Sequence, residues 1–387
     1  MKKKIFFIIW ANPKFYQTLI SLSKHFTKKN YKVYILTKNI KTKFDMLENV
    51  DFGKESKIIH HPLYSAYFPN ILNFFTFIFY SSFFFLNQRP VGTIFFNQHS
   101  LFCLPLIKLF NKKNQKIIYH NFDFNLFSNI KKFREKFLRF SEIHLSKLCD
   151  YLVFPTIDRG IIFQKDSKID NAKLLEFKNC FPKKFLLKKS SKFKSFLKSN
   201  KLTNKKIICH LGTISPGHYI INIIKSAIHI DNNSIIIIAG TSVNNYAITL
   251  NNIIKKFNLS HKVFIFEDVK NSLWFEILFK SDLGLCFYEN TNLSHQHMSG
   301  TSQKFNNYIF ANKPMLVNNN KDFLRFKKIF DIFDVVDPAN PKKIALKINS
   351  LLADRKRYYK IKKKLKTSFL SELNFEKQFE KSYETFL

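Results

Sequence analysis

Glycine, proline and cysteine are all scarce in this sequence. Its 387 residues include 8 Gly and 11 Pro, too few for a fibrous or low-complexity protein. The five cysteines, Cys103, Cys149, Cys180, Cys209 and Cys286, are widely separated, odd in number and never arranged as C-x-x-C. The pattern indicates neither a disulfide framework nor a zinc site, so we expect no bound metal and a reducing cytosol.

Two further patterns are missing. The sequence contains no G-x-G-x-x-G, so it lacks the fingerprint of a dinucleotide-binding turn. The opening residues MKKKIFFIIWANP imitate a signal peptide, but the apolar stretch is short and runs into Asn12-Pro13 without a good cleavage site. We predict that this stretch forms the first buried strand.

Positive charge is present in large excess, with a formal net charge of +37. Nearly all of it is Lys, spread along the whole chain with abundant Asn, Ile and Phe, as an AT-rich coding bias would produce; a selected basic surface is the alternative. Arg, which suits bidentate contacts with phosphates and bases, is scarce. The surplus therefore favours an anionic membrane surface or substrate, and we expect no nucleic-acid partner.

Short apolar runs alternate with helical segments along the chain. In the first half the runs lie at residues 5–10, 31–37, 57–60, 93–97, 116–121 and 151–155. The pattern restarts in the second half, with runs at residues 205–213, 234–242, 262–268, 282–288 and 314–318. Such alternation is typical of β-α-β units. We predict an α/β protein with two Rossmann-like, doubly wound parallel-sheet domains.

The same pattern predicts the domain boundaries. The first domain would span residues 1–180 and the second residues 199–353, joined by a Lys- and Ser-rich linker at residues 181–198. Residues 354–387 are Lys-rich and helical, and we expect them to pack back on the first domain.

An uncharged segment at residues 71–86, ILNFFTFIFYSSFFFL, stands apart from its surroundings. It is shorter than the ~20 apolar residues of a spanning helix, so we do not predict a transmembrane segment. A buried helix of the first domain is one interpretation. The other is a helix whose aromatic face enters a bilayer surface, where the surplus lysines would be attracted to anionic lipids.

Ligands of open parallel sheets bind beyond the carboxyl ends of the strands, which directs attention to the loops there. In HLGTISPGHY, residues 210–219, Gly212 follows a strand directly, and in IAGTSVNNY, residues 238–246, Gly240 does the same. Glycine lets the backbone approach a ligand closely. An ordinary tight turn, or a simple helix cap, is the alternative at each position.

The segment GTSQKFNNY, residues 300–308, combines several features of an anion-binding helix N-terminus. Thr301 or Ser302 would cap the helix, and the free N–H groups of its first turn attract phosphate. Lys304 adds a cation that opposes the helix dipole, which is costly unless an anion is bound. Asn307, one turn further on, could bond a sugar hydroxyl. A capped surface helix is the alternative.

The segment YHNFDFN, residues 119–125, ends a strand of the first half and carries His120, Asn121 and Asp123. A His and a carboxylate facing a cleft could assist proton transfer or orient hydroxyl groups, so we predict His120 and Asp123 as catalytic residues. A structural histidine is the alternative, and His99, at the end of the preceding strand, is a rival candidate.

The second half resembles the nucleotide-sugar domain of GT-B glycosyltransferases of the group 1 (family 4) type. Residues 300–317, GTSQKFNNYIFANKPMLV, look like that family's run of Ser, Lys, an acidic residue, Tyr, Gly-Lys-Pro and an apolar strand. HLGTISPG and SDLGLCFY, residues 281–288, look like its first strand-turn and the strand before its donor loop. The resemblance covers roughly residues 205–336; residues 149–160 resemble the family's last strand of the first domain.

The resemblance implies two Rossmann-like domains facing a cleft, with a nucleotide diphosphate sugar held mainly by the second domain and the acceptor by the first. Ser302 and Lys304 would face the diphosphate and Asn307 the ribose, while Gly212 and Thr213 would approach the donor phosphates from the other side. Neither a cofactor nor a metal is implied beyond this sugar-nucleotide co-substrate.

Departures from the family pattern concern charged residues. Asn307 and Ser299 stand where the family usually has two glutamates, and Asn offers a different set of hydrogen-bonding groups. Thr213 and His218 lie where an Arg and a Lys commonly follow the first glycine turn. An altered donor or weakened catalysis is one consequence, although transfer depends mostly on positioning and on stabilising the leaving diphosphate.

These features predict a glycosyltransferase that acts at the inner face of a bacterial cytoplasmic membrane. It would move a sugar from a nucleotide diphosphate sugar to a surface-polysaccharide or lipid-linked acceptor. A sugar-nucleotide epimerase of the same fold and a non-catalytic nucleotide-sugar-binding protein are the alternatives.

Overall fold

The computed structural model describes residues 2–38, 50–61, 69–110, 115–169, 173–185, 190–291 and 293–384. The chain divides into two compact units. The first unit comprises Met1–Asn179 together with Phe375–Leu387, and the second unit comprises Cys180–Asn374.

The first unit is built on a seven-stranded sheet in which every pair of neighbouring strands is parallel. Its strands are β1 Lys4–Ile9, β2 Lys32–Thr37, β3 Ser56–His60, β4 Gly92–Phe96, β5 Lys116–His120, β6 Tyr151–Phe154 and β7 Lys173–Glu176. Their order in the sheet is β3-β2-β1-β4-β5-β6-β7, so the direction of strand addition reverses between β1 and β4.

The second unit repeats this arrangement with six parallel strands. They are β8 Lys206–Leu211, β9 Ser234–Gly240, β10 Val263–Glu267, β11 Leu283–Cys286, β12 Met315–Asn318 and β13 Asp334–Val336. The order is β10-β9-β8-β11-β12-β13, and the reversal falls between β8 and β11. The predicted fold class, two doubly wound parallel-sheet α/β domains, is confirmed.

Helices connect the strands of both sheets. In chain order they are α1 Gln17–Lys28, α2 Asn70–Gln88, α3 Leu104–Phe110, α4 Phe133–Ser146, α5 Ile157–Ser167, α6 Lys192–Ser199, α7 Ile220–Ser226, α8 Tyr246–Lys256, α9 Asn271–Lys280, α10 Leu293–Gln296, α11 Gln303–Phe310, α12 Lys321–Phe330, α13 Pro341–Ala353, α14 Arg355–Ser371 and α15 Phe375–Ser382.

The central strands of both sheets are buried along their length, as expected where helices cover both faces. All seven residues of β9 and all five of β4 are buried. The opening apolar stretch is strand β1, as predicted, with residues 5–9 buried. Two short edge strands, β7 and β13, were not predicted, because KLLE and DVV are too short and too polar to give a strand pattern.

The linker and tail differ from the sequence-based boundaries. Residues 192–198 of the predicted linker belong to α6, whose Phe193 and Leu197 are buried in the core of the second unit. In the predicted tail, α14 also belongs to the second unit, because its Ile361, Leu365 and Phe369 are buried there. Within the described tail, α15 is the helix that packs on the first unit, through Phe375 and Phe379.

The uncharged segment at residues 71–86 lies within α2. Within the described part of the chain, α2 is the one helix that is long and apolar enough to cross a membrane. Of its most apolar 18 residues, 33% are buried. Phe77 and Phe85 pack into the first unit, whereas Phe75, Phe79 and Phe83 are 51%, 64% and 63% exposed. The helix is therefore a surface helix of this unit with an apolar outer side.

Candidate functional site

The candidate site lies in the second unit, at the carboxyl edge of its sheet where the strand order reverses. Strand β8 ends at Leu211 and β11 at Cys286, and α11 begins near both at Gln303. Doubly wound sheets bind ligands at this position. Of the predicted donor-binding residues, Gly212 and Thr213 follow β8, Gly240 ends β9, and Thr301 to Asn307 lie at the start of α11.

Two glycines bring the loops of this edge into close contact. Gly240 has a φ of +156°, and a Cβ placed on it would lie 1.7 Å from the carbonyl oxygen of Gly212. Gly212 has a φ of +154°, and a Cβ there would lie 2.9 Å from Cε of Lys304. Both positions therefore need glycine, and the Lys304 side chain runs along the β8 loop. Thr213 is exposed beside them.

Of the two predicted capping residues, Thr301 and Ser302, it is Ser302 that caps α11. Its side-chain oxygen accepts a 3.1 Å hydrogen bond from the backbone N–H of Phe305, and its hydroxyl also bonds the hydroxyl of Tyr288. Thr301 is buried next to it. Because the Ser302 side chain accepts from Phe305, the N–H groups of Gln303 and Lys304 remain as first-turn donors of the kind that bind anions.

Lys304 is a buried cation, only 5% exposed. Its Nζ lies 3.5 Å from Nε2 of His210 and 4.7 Å from the ring centroid of Tyr288. Burial lowers the pKa of Lys304 to about 8. Among the residues that the structure describes, no carboxylate forms an ion pair with it. A buried, unneutralised ammonium beside a helix N-terminus suits an anionic ligand.

A cluster of three histidines lies next to Lys304 and was not predicted as part of the site: His210 and His218 are close to Lys304, and His295 contacts His218. The ring centroid of His218 lies 5.8 Å from that of His210 and 5.7 Å from that of His295. Burial, reinforced by the charge of Lys304, lowers the pKa of His218 to about 3 and that of His210 well below its usual range. Both imidazoles are therefore neutral. Their spacing along the chain carries no recognisable pattern, because the fold brings them together.

Asn307 is buried, and its Oδ1 accepts a 3.1 Å hydrogen bond from Nε2 of Gln303. The next residue, Tyr308, fixes the helix to the sheet: its hydroxyl donates to the carbonyl oxygen of Cys209, 2.9 Å away. The sequence motif contains Tyr308 but does not predict this contact. Asn307 therefore sits on a helix held in one position relative to β8.

Ser299 stands where the resembled family often has its second glutamate. It is hydrogen-bonded to an acidic residue, Asp322, that was not predicted as part of the site. Its hydroxyl donates to Oδ1 of Asp322 at 2.8 Å, and its backbone N–H donates to Oδ2 at 2.7 Å. Burial raises the pKa of Asp322. A carboxylate is thus present under the 299–302 loop, supplied by α12 rather than by residue 299.

The first unit has a cavity of about 610 Å³ at the carboxyl ends of β1, β4 and β5. The strand order of this sheet also reverses there. Its lining residues include Trp10, Tyr16, Asn97, His99, Asn121 and Asp123. Asp123 and the rival candidate His99, both named from the sequence, therefore face the same cavity.

His120 lies below this cavity and not on its wall. It is fully buried, with Nδ1 2.6 Å from the hydroxyl of Tyr383, which directly follows α15, and with its ring stacked against Phe96. Burial lowers the pKa of His120 to about 3. His120 therefore lacks the access to a substrate that its predicted catalytic role requires. Asp123 is exposed, with Oδ1 3.5 Å from the Arg159 guanidinium.

A buried polar network supports the floor of the cavity. Nδ2 of Asn121 donates to the Tyr119 hydroxyl at 2.9 Å and to Glu142 at 2.8 Å, and Arg139 donates to the other oxygen of Glu142 at 2.8 Å. Burial raises the pKa of Glu142, the nearby guanidinium opposing that shift. Oδ1 of Asn121 has no hydrogen-bond partner among the described residues. The sequence pointed to Asn121 but not to Arg139 and Glu142, which lie on α4.

Neither a protein-family model nor a curated protein matches this chain in sequence. Solved structures are similar over their whole length. HepE of Anabaena, in complex with UDP and glucose, has a TM-score of 0.74 at 12% identity, covering 99% of each chain. Sucrose-phosphate synthase of Thermosynechococcus elongatus has a TM-score of 0.70 at 12% identity, covering 97% of this chain and 96% of its own.

The lipopolysaccharide outer core galactosyltransferase WaaB, in its apo form, has a TM-score of 0.64 at 13% identity, covering 99% of this chain and 100% of its own. The chain has the GT-B fold. The fold that the motif around Lys304 implied is thereby confirmed. In GT-B terms, the Lys304 site belongs to the second Rossmann-like unit and the 610 Å³ cavity to the first.

Proposed function

We propose that this protein is a glycosyltransferase that binds a nucleotide diphosphate sugar on its second unit and transfers the sugar to a saccharide or lipid-linked acceptor. One observation carries the proposal: the buried ammonium of Lys304 lies at the N-terminus of α11 without a carboxylate partner among the described residues. A diphosphate would neutralise this charge and accept hydrogen bonds from the first-turn N–H groups.

The donor site follows from this placement. Lys304 and the amides of α11 would stabilise the charge that develops on the departing nucleoside diphosphate, while Gly212 lets the β8 loop approach the phosphates. Thr213, Gly240, Thr301 and Ser302 would shape the same surface, and Asn307 would bond the ribose. The complexes of HepE contain UDP and UDP-glucose, which makes UDP-glucose the first donor to test and hexosyl transfer the reaction that we favour.

The acceptor would enter the cavity of the first unit. Trp10 and Tyr16 offer aromatic faces for a sugar ring, and Asn121 offers an unoccupied carbonyl oxygen to a hydroxyl. Asp123 is the candidate for orienting the reacting hydroxyl, because its carboxylate is accessible and lies on the cavity wall. His120 has neither property.

Exposed aromatic side chains on the outer surface of the first unit support binding to a membrane surface. Exposed Phe79 of α2 and Phe137 of α4 belong to two apolar surfaces that are linked through ring contacts of Phe74 with Phe102 at 5.3 Å and of Phe102 with Phe137 at 6.3 Å. Lysines flank the α4 surface. We infer a peripheral position on the inner face of the cytoplasmic membrane, with a surface-polysaccharide or lipopolysaccharide precursor as acceptor.

The test is turnover and binding of UDP-glucose by the purified full-length protein, with and without lipid-linked or free saccharide acceptors. Lys304→Met should lose donor binding by ~10²-fold, since a buried charged hydrogen bond to a phosphate is removed. Lys262→Met is the matched control: Lys262 is also 5% exposed, but its Nζ donates to the carbonyl oxygen of Ile230 away from the site.

The outcomes separate the possibilities. Sugar transfer that depends on Lys304 supports the proposal, and transfer by Lys304→Met at the parent rate would sink the diphosphate assignment. Interconversion of the sugar nucleotide without an acceptor would instead reveal an epimerase. Tight binding of UDP-glucose with no turnover under any acceptor would mean that the protein binds sugar nucleotides without catalysis.

A further inference from the structure

His218 lies beside Lys304, and both side chains contact the ring of Tyr288. It ends a short 3-10 turn, Pro216–His218, that follows the β8 loop, and its side chain is only 8% exposed. Its ring centroid lies 5.1 Å from that of Tyr288, and the same Tyr288 ring lies 4.7 Å from Nζ of Lys304. His218 and Lys304 thus flank one aromatic ring at the carboxyl edge of the sheet.

The hydrogen bonding of His218 defines which ring nitrogen is available. Nδ1 lies 3.3 Å from the backbone carbonyl oxygen of Phe287. A carbonyl oxygen only accepts, so Nδ1 carries the proton and Nε2 keeps its lone pair. Nε2 makes no hydrogen bond with any residue that the structure describes. A nearly buried imidazole therefore offers one unused acceptor.

The surrounding groups keep this imidazole neutral. Lys304 faces it from α11, His210 from β8, His295 from α10 and Tyr288 from the segment after β11. Glu289 adjoins the same turn, its backbone N–H donating to the carbonyl oxygen of Gly217 at 2.9 Å. Burial and the charge of Lys304 lower the pKa of His218 to about 3, the carbonyl of Phe287 opposing the shift.

A neutral acceptor does not suit a phosphate oxygen, which is itself an acceptor, but it does suit a hydroxyl group. In a nucleotide diphosphate sugar, the hydroxyl groups of the sugar begin one bond beyond the phosphate-linked carbon. A ligand whose diphosphate meets Lys304 therefore has hydroxyl groups close to the phosphate and within the reach of a neighbouring side chain.

We propose that Nε2 of His218 accepts a hydrogen bond from a hydroxyl group of the donor sugar and thereby helps to select which sugar the protein transfers. The inference rests on the proposed donor site, and it makes His218 a specificity residue in direct contact with the substrate. The nucleoside diphosphate portion of the donor does not touch His218.

The test compares binding of a nucleoside diphosphate with binding of its sugar ester, using UDP against UDP-glucose, UDP-galactose and UDP-N-acetylglucosamine, and ADP against ADP-glucose. In the full-length parent, one sugar ester should bind more tightly than its nucleoside diphosphate. His218→Phe keeps a ring against Tyr288 but removes the acceptor, so the advantage of the sugar ester should fall about tenfold while affinity for the nucleoside diphosphate stays unchanged.

Two controls define what would overturn the inference. His218→Gln retains an acceptor and should recover part of the sugar preference, whereas unchanged preference in His218→Phe, with nucleoside diphosphate binding intact, contradicts the role of His218 alone. A parent that binds none of these ligands contradicts the donor site itself and this inference with it. Unaltered nucleoside diphosphate affinity also shows that each variant is folded.

Calorimetry at pH 6.5 in buffers of different ionisation enthalpy provides an independent readout. Lys304 is already charged at this pH, and the diphosphate of a sugar ester is esterified at both ends, so we expect no net proton uptake. Uptake of a proton that disappears in His218→Gln would mean that an imidazolium faces the phosphates, and would overturn the proposal.

Discussion

Nζ of Lys304 lies 3.5 Å from Nε2 of His210 in the interior of the second unit, and this pair carries one positive charge rather than two. The ammonium donates to a neutral imidazole, which satisfies one of its three N–H groups without neutralising its charge. Because burial of an unneutralised charge destabilises the folded state, the site is more stable with a bound anion than without one.

The first prediction concerns the pH dependence of stability. The pKa of Lys304 falls from 10.5 to about 8 on folding. Between these values the unfolded chain retains a proton that the folded chain has released, so this residue makes stability rise with pH across that window, by about 3 kcal/mol. Lys304→Met should lack the rise and be more stable than the parent at pH 7. Urea unfolding from pH 7 to 10 measures both.

Bound UDP-glucose provides the internal control for this prediction. A diphosphate that pairs with Lys304 returns its pKa toward the ordinary value, and the rise in stability above pH 8 should then diminish in the parent. Identical pH profiles for the parent and Lys304→Met, with and without ligand, would contradict the assignment of the buried charge.

The second prediction separates two glycines that have similar backbone angles. At Gly240 a Cβ would meet the backbone oxygen of Gly212, which cannot move without displacing β8, whereas at Gly212 it would meet the flexible end of Lys304. Gly240→Ala should therefore destabilise the second unit by several kcal/mol. Gly212→Ala should cost less stability but weaken UDP-glucose binding, because it displaces the ammonium. Thermal unfolding and calorimetric titration distinguish the two effects.

The fold was predictable from the sequence because buried parallel strands consist of apolar runs, and runs such as IIIIAG and KIFFII predict such strands directly. The motif around Lys304 was predictable for a similar reason, since cap, cation and helix are adjacent in the chain. The prediction that the helical tail packs on the first unit is wrong for α14. The helices that carry Ile361 and Phe375 have similar apolar patterns, and the pattern does not show which core each helix joins.

The histidines beside Lys304 were not predictable. In the sequence His210 is only the first residue of a glycine turn, and three strands, β9 to β11, with their connecting helices separate His218 from His295. The protonation state of His210 and His218 follows from burial and from the charge of Lys304 rather than from the residue type. His120 shows the converse: its sequence context suggested chemistry, and its burial under Phe96 and Tyr383 removes it from the surface.

The third prediction tests Asn307, which stands where group 1 GT-B glycosyltransferases usually have a glutamate. Asn307→Ala should weaken UDP binding by about tenfold, because one hydrogen bond to the ribose would be lost. Asn306→Ala is the matched control on the same helix: its Nδ2 donates to the carbonyl oxygen of Gly300 at 3.0 Å. That change should lower stability without acting directly on the ribose. Equal effects of both substitutions on UDP affinity would contradict the ribose assignment.

The fourth prediction concerns the apolar surface of the first unit. Phe79→Ser together with Phe137→Ser should reduce co-sedimentation with vesicles containing anionic phospholipid by several-fold, because each exposed aromatic side chain would contribute buried area in the membrane interface. Leu346→Ser is the control, since Leu346 is 68% exposed but lies on the second unit. A loss of vesicle binding equal in the control and the double variant would contradict a defined membrane-facing surface.

The fifth prediction separates the two residues of the YHNFDFN segment. His120 is neutral in the folded protein, with a pKa of about 3 against 6.5 when unfolded. Below pH 6.5 the unfolded chain gains a proton that the folded chain does not bind, so His120 makes stability fall with acidification, by about 2 kcal/mol at pH 5. His120→Phe should remove this part of the acid sensitivity and leave sugar transfer at pH 7 within a few-fold of the parent.

Asp123→Asn should do the opposite. Its carboxylate is exposed at the cavity, so the substitution should lower the transfer rate by ~10²-fold, as expected for loss of a group that orients the reacting hydroxyl. Steady-state transfer assays and urea unfolding at pH 5 and 7 on the same two variants measure both quantities. If His120→Phe abolishes transfer in a protein that still binds UDP-glucose, the imidazole reaches the substrate in a conformation that exposes it, and the structural role assigned to His120 is wrong.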